Sequence, residues 1–328
     1  MRRVRLLALL LLPLLAACAP EEAGPAPLGE ASRSWDRAFR RGRDRDWRFE
    51  DLDRLKGLLE AAPPAGRRAL CDAAYDLADV GLEAGPALTV LQACAEALGR
   101  GASGDPLAAA VQLQARADWP ADAMVQTVSL MARVQSSGGD PADLVRVLDR
   151  ATVFGTPAWT ALQFLKDMEI SRAEVPLGAQ ADLFEEALGR KGRHLEAQAV
   201  LNAFREAVRG GLPAKDLSAA CRRKLRIGMS PARLPAWLGE VAQWPSAPLP
   251  RPRALKLVAA GLACGLSDEE VAAFGPFIAR SVLDAKDAGV LADRLEGNLR
   301  QRKLRGKALL EETLADFSGA RPSEPAGR

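Results

Sequence analysis

GLPAKDLSAACRRKLRIGMSP, residues 211–231, is the stretch that decides the fold. It opens on Gly211-Leu212-Pro213 and closes on Gly228-Met229-Ser230-Pro231. Between these ends Leu217, Cys221 and Leu225 recur at helical spacing. Glycine takes the left-handed position that stops a helix, and the following Leu or Met folds back on its last turn. Pro or Ser then opens the next helix. A stretch punctuated in this way is one short amphipathic helix held between two tight corners.

The same punctuation extends in both directions. Gly81-Leu82 and Gly265-Leu266-Ser267 repeat the stop signal. Asp105-Pro106, Asp140-Pro141, Thr156-Pro157 and Ser230-Pro231 place a capping oxygen before a proline at the first helical position. Ser267-Asp268-Glu269-Glu270 is a capping box. Helix-start signals recur roughly every 18 residues, in line with two-helix units of solenoid proteins.

Apolar stripes fill the intervals. Leu88, Leu91, Ala95 and Leu98 share one face, as do Ala197, Leu201, Phe204 and Val208. Leu234, Leu238 and Val241 form another stripe, and Val271, Phe274, Ile278 and Val282 the clearest. Helices this short are not stable alone in water, so they must bury their stripes against neighbours. No segment alternates with a two-residue period, and β-branched runs are nearly absent. The expected fold is all-α: an irregular α-solenoid of short antiparallel helix pairs.

The amino terminus carries a different signal. Met1-Arg2-Arg3-Val4-Arg5 is basic, Leu6 to Leu15 is apolar apart from Pro13, and Leu15-Ala16-Ala17-Cys18 follows. The apolar run is too short to span a bilayer and reads as an export signal. This arrangement resembles the lipobox of bacterial lipoproteins. The resemblance implies cleavage before Cys18, with diacylation and N-acylation of that cysteine. Ala19 in place of aspartate implies the periplasmic face of an outer membrane over the inner membrane.

The expected organisation is therefore a signal peptide over 1–17 and a lipidated Cys18 with a flexible tether over 18–33. A helical-repeat domain follows over 34–299, then a charged helix end and disordered tail over 300–328. Ser34 to Lys56 is dense in Arg and Asp, with Trp35, Phe39, Trp47 and Phe49 interleaved; it predicts one or two short capping helices. Asp287 to Phe317 predicts one longer helix containing the basic run Arg300–Lys307, a solvated face or a contact for anionic lipid.

The corners at Gly211, Gly228 and Gly265, over Leu195 to Val282, also resemble those of uncharacterised exported bacterial helical-repeat proteins. That likeness implies no activity. Glu185 to Ala199 is tetratricopeptide-like in architecture only, because the Trp-Leu-Gly-Tyr positions of that repeat are missing.

Composition narrows the function. The chain has 45 Lys and Arg against 42 Asp and Glu. Loss of Arg2, Arg3 and Arg5 with the signal leaves a neutral mature protein, which argues against a nucleic-acid partner. His194 is the only histidine and sits at a helix start. No Cys-x-x-Cys pair, Walker loop, dinucleotide fingerprint or Gly-x-Ser-x-Gly elbow occurs, so no catalytic set, metal or cofactor is expected.

Beyond Cys18, an oxidising compartment permits a Cys71–Cys94 disulfide across one helix pair and, with poorer alignment, Cys221–Cys264. The leading expectation is a membrane-anchored scaffold with protein partners, in which Trp119, Trp159, Trp237 and Trp244 line a groove. The rivals are an enzyme acting on cell-wall glycan or peptide, which needs clustered carboxylates, and a lipid or small-molecule carrier, which needs an enclosed apolar cavity.

Overall fold

The computed structural model describes residues 28–189, 194–244, 249–282 and 285–319. The signal segment, the lipobox and Cys18 lie outside these residues. Among the described residues every regular element is a helix.

The chain divides into two compact units, Met1–Gln112 and Leu113–Arg328. The first holds α1 (Leu28–Asp44), α2 (Phe49–Ala61), α3 (Pro64–Asp79) and α4 (Ala84–Gly99). The division falls within α5 (Gly104–Arg116). The second unit continues with α6 (Ala121–Ser136), α7 (Pro141–Val153), α8 (Ala158–Ser171), α9 (Leu177–Leu188), α10 (His194–Arg209) and α11 (Ala214–Arg226). It ends with α12 (Leu234–Ala242), α13 (Arg251–Cys264), α14 (Asp268–Ala272), α15 (Phe274–Ser281), α16 (Ala285–Arg300) and α17 (Gly306–Gly319).

The corners form as their sequence dictates. Gly211 and Gly228 have φ of 103° and 110°, a region costly for residues with a Cβ. The amide after each glycine bonds back across the last turn: Leu212 N to Ala207 O at 3.1 Å and Met229 N to Lys224 O at 3.0 Å. Two corners reach the same geometry without glycine. Asp46 and Asp118 take φ of 60° and 54°, and Trp47 N and Trp119 N make the equivalent bonds to Gly42 O and Gln114 O. Aspartate tolerates this region, so these corners carry no glycine flag.

Helix starts follow less strictly. Asp140 Oδ1 accepts from Ala142 N at 2.9 Å, and Ser267 and Glu270 form the reciprocal capping box. Thr156 instead turns into the protein, and its helix begins at Ala158. Ser230 is followed by a turn, so α12 starts only at Leu234.

Packing runs mainly between a helix and the next but one. In the first unit α1 packs on α3 and α2 on α4, around the buried Leu52, Leu55, Leu77 and Leu91. In the second unit α7, α9, α11, α13 and α16 lie side by side as one layer, and α6–α8 and α10–α12 are pairs of the other. Phe184 and Phe204 are fully buried, and Phe164 meets Phe184 edge-on at 5.2 Å. Each such ring contributes about 1.5–3 kcal/mol by leaving water. This is the solenoid-like helical array that the stripes and corners predict.

Ion pairs fix the register of the first layer. Asp182 bonds Arg222, and Glu186 bonds Arg226, at 2.7 and 2.8 Å. Both pairs are 40 residues apart, so α9 and α11 run parallel. Arg146 of α7 reaches Asp182 and Glu185 of α9 at 2.6 and 2.8 Å. Lys256–Glu296 and Arg253–Asp293 repeat the step from α13 to α16. Half-exposed pairs of this kind contribute about 0–1 kcal/mol each, so they select register more than they stabilise.

The two ends of the described chain differ from expectation. Helix α1 begins at Leu28, inside the stretch read as tether. The single helix expected over Asp287–Phe317 is a hairpin, with Lys303 at φ 55° and Gly306 at φ 53° in its corner. The fold-back buries Leu309, Thr313 and Phe317. Asn298 donates to Thr313 and Asp316, and Arg302 pairs with Glu312 and Asp316. A straight helix would leave that apolar face in water.

Candidate functional site

Parallel stacking places equivalent corners on one edge. Helices α7, α9 and α11 end on the same side of the second unit, and α8 and α10 start there. Val153 and Phe154 close α7, Trp159 and Leu195 sit in the first turns of α8 and α10, and Ile227 follows α11. All five side chains are between 43% and 70% exposed. Packed helices are spaced about 8–10 Å apart, so the row spans roughly 20 Å. The opposite edge turns its apolar corner residues inward: Val175 and Leu212 are buried, and Ile170 at 74% is its large exposed aliphatic.

This edge replaces the expected tryptophan groove. Trp119 and Trp237 are buried, Trp244 is half-buried, and of the four only Trp159 is well exposed. Trp119 seals its corner, and Trp237 donates from Nε1 to Asp268 at 3.2 Å. Helical spacing cannot distinguish an indole packed inward from one left at a corner.

The acidic pairs are all engaged. Glu185 and Asp182 bond Arg146 and hold its guanidinium firmly charged. Asp268 takes Lys224 as well as Trp237, and Glu311 and Glu312 pair with Lys307 and Arg302. Among the described residues no cluster of His, Cys, Asp and Glu has the makings of a metal site. His194 is the half-buried first residue of α10.

Three pockets are shallow and differ in character. One of about 210 Å³ lies among Trp35, Leu59, Cys71 and the stems of Lys56 and Arg67. Another of about 300 Å³ is lined by Cys264, Arg300, Lys303 and Arg305. The third lies between Phe274, Glu270 and Lys307. None of the three gathers a carboxylate pair.

The structure holds Cys71, Cys94, Cys221 and Cys264 as free cysteines. Cys71, at the floor of the first pocket, and Cys94 are both buried as small apolar groups. Burial pushes both thiols up to about 12 and raises Cys221 as well. Cys264 is half-buried at the end of α13. Among the described residues no helix is long and apolar enough to cross a membrane. Comparison with protein-family models, with curated proteins and with solved structures finds no match.

Proposed function

We propose that this chain is a lipid-anchored scaffold of the bacterial cell envelope that binds protein partners and performs no catalysis. The anchor is Cys18, on the strength of the lipobox, with the outer membrane as the expected site. The observation that carries the binding role is the row Val153, Phe154, Trp159, Leu195 and Ile227. Large apolar side chains left exposed along one edge are the kind of surface that partners cover. Aromatic residues at such a patch supply large contact area at low entropic cost.

Photo-crosslinking in the producing bacterium tests this reading. A photoreactive residue at 159 or 227 should yield a discrete protein adduct, and one at 170, on the opposite edge, should not. Adducts of equal yield at all three positions, or none at 159 and 227, would overturn it. Metabolic labelling with an alkyne fatty acid tests the anchor, since Cys18→Ala should abolish both the label and membrane retention.

A further inference from the structure

The basic run Arg300–Lys307 plays no part in the apolar edge. The hairpin corner between α16 and α17 sorts its cations into two groups. Arg302 pairs with Glu312 and Asp316, and Lys307 with Glu311, all acids of α17. Arg300, Lys303 and Arg305 instead line the pocket of about 300 Å³, together with Leu299, Leu304 and Cys264 at the end of α13. Lys303 does so from a left-handed backbone, φ 55°, at the point where the chain folds back.

The charges around this pocket do not balance. Arg300 donates to Asp216 twice, at 3.2 and 2.6 Å, and to Glu296 at 2.9 Å. Lys256 also reaches Glu296, at 3.2 Å, so these four side chains cancel. Glu270, near Gly306, is held in the Ser267 capping box. Among the described residues neither Lys303 nor Arg305 has a carboxylate within ion-pairing distance. Arg223, whose guanidinium packs over Gly265, adds positive charge beside them. Burial raises the Cys264 thiol while Arg300 and Arg305 pull against it, which puts both cations close to the sulfur. Cations of one sign around a low-dielectric recess focus the field on an incoming anion.

We propose that this pocket binds a phosphate monoester carrying a small apolar body. Phosphate oxygens accept from Lys303 Nζ and from the Arg305 guanidinium, whose planar fork suits them. Near neutral pH such an ester carries about −1.5 to −2 charges, which answers both cations, whereas a carboxylate or sulfate ester answers one. Leu299 and Leu304 take the apolar body. A volume of about 300 Å³ stands at the lower end of small-molecule sites and leaves room beyond a bare ion. A lipid headgroup and a soluble ester offer the same terminal phosphate. The pocket continues the edge past Ile227, where Arg223 of α11 meets Gly265, but the inference rests on charge and not on the apolar row.

Calorimetric titration of the full chain with phenyl phosphate and phenyl sulfate, alike in shape and unlike in charge, tests it. Phenyl phosphate should bind, and phenyl sulfate about tenfold more weakly. Lys303→Asn, which suits the left-handed backbone, and Arg305→Gln should each weaken phenyl phosphate about tenfold. Lys307→Gln, in the same run but paired with Glu311, should leave it unchanged. All three side chains are exposed, so melting temperatures should hold. Occupancy also has a local reading, because bound ester should slow alkylation of Cys264 by iodoacetamide. Slowing by vesicles of phosphatidic acid in phosphatidylcholine, beyond phosphatidylcholine alone, assigns the phosphate to a lipid headgroup. Slowing by the soluble ester alone assigns it to a free one. No binding at millimolar concentrations, equal binding of the two esters, or a Lys307→Gln loss as large as that of Lys303→Asn would overturn the proposal and leave the run a solvated face.

Discussion

Replacing Gln180 by leucine preserves volume but removes the hub of the α8–α9–α10 junction. Gln180 Nε2 donates to Val175 O at 2.8 Å and so pins the corner between α8 and α9. Its Oε1 accepts from Arg205 Nε at 2.8 Å and from Ser171 Oγ at 3.2 Å. Leucine would strand a buried guanidinium N–H, costing about 1.5–3 kcal/mol, and a carbonyl bond of about 0.5–1.5 kcal/mol. The expected loss is about 2–4 kcal/mol. With a urea m-value of about 2–3 kcal/mol/M, the midpoint should fall by about 1 M.

The decisive arm is the double variant Gln180→Leu with Arg205→Met. Replacing both partners by apolar groups leaves nothing stranded, so much of the loss should return. The coupling energy from the cycle should be about 1.5–3 kcal/mol. Circular dichroism in urea reads all four proteins. A Gln180→Leu midpoint unchanged from the parent, or a double variant no better than the single, would show that this polar junction does not hold the corner.

Three further outcomes are expected. Under native conditions near neutral pH an alkylating reagent should modify Cys264 first and leave Cys71, Cys94 and Cys221 protected; mass shifts on digestion read this, and a Cys71–Cys94 crosslink would contradict it. Because burial raises Cys71 and Cys94 to about 12, folded-state stability should be intact below the ordinary thiol value of 9.0 and fall as pH rises from there towards 12, which melts at stepped alkaline pH would record. Gly211→Ala should lower stability by about 1–2 kcal/mol through its φ of 103°, whereas Gly57→Ala, in open space inside α2, should raise it by about 0.5–1 kcal/mol; thermal melts of the pair check the sign.

The corners were legible in the sequence where glycine marked them. Gly81, Gly211, Gly228 and Gly265 all take positive φ, since the sign of φ is a local property of a residue without a Cβ. Asp46 and Asp118 do the same work unmarked, because aspartate is as much at home in a cap or ordinary turn. The Val271–Val282 stripe was read correctly as apolar but is split between α14 and α15, and Val282 follows the second helix. The break after Arg300 was missed because Lys303 is no helix breaker by type, and its backbone is set by what the fold-back buries.

Local rules thus determined that this chain forms short amphipathic helices, where most of them stop, and which stripe of each is apolar. Those rules act within one or two turns and depend on side-chain type alone. The tertiary structure decided which helices pair. It set the parallel register through Asp182, Glu186, Arg222 and Arg226, and it left Trp159 exposed at a corner while Trp119 and Trp237 went inside. It also placed Arg205, Gln198 and Gln180 in one seam. Such meetings join residues far apart in the chain, and no periodicity encodes them. They follow from how neighbouring helices fill space.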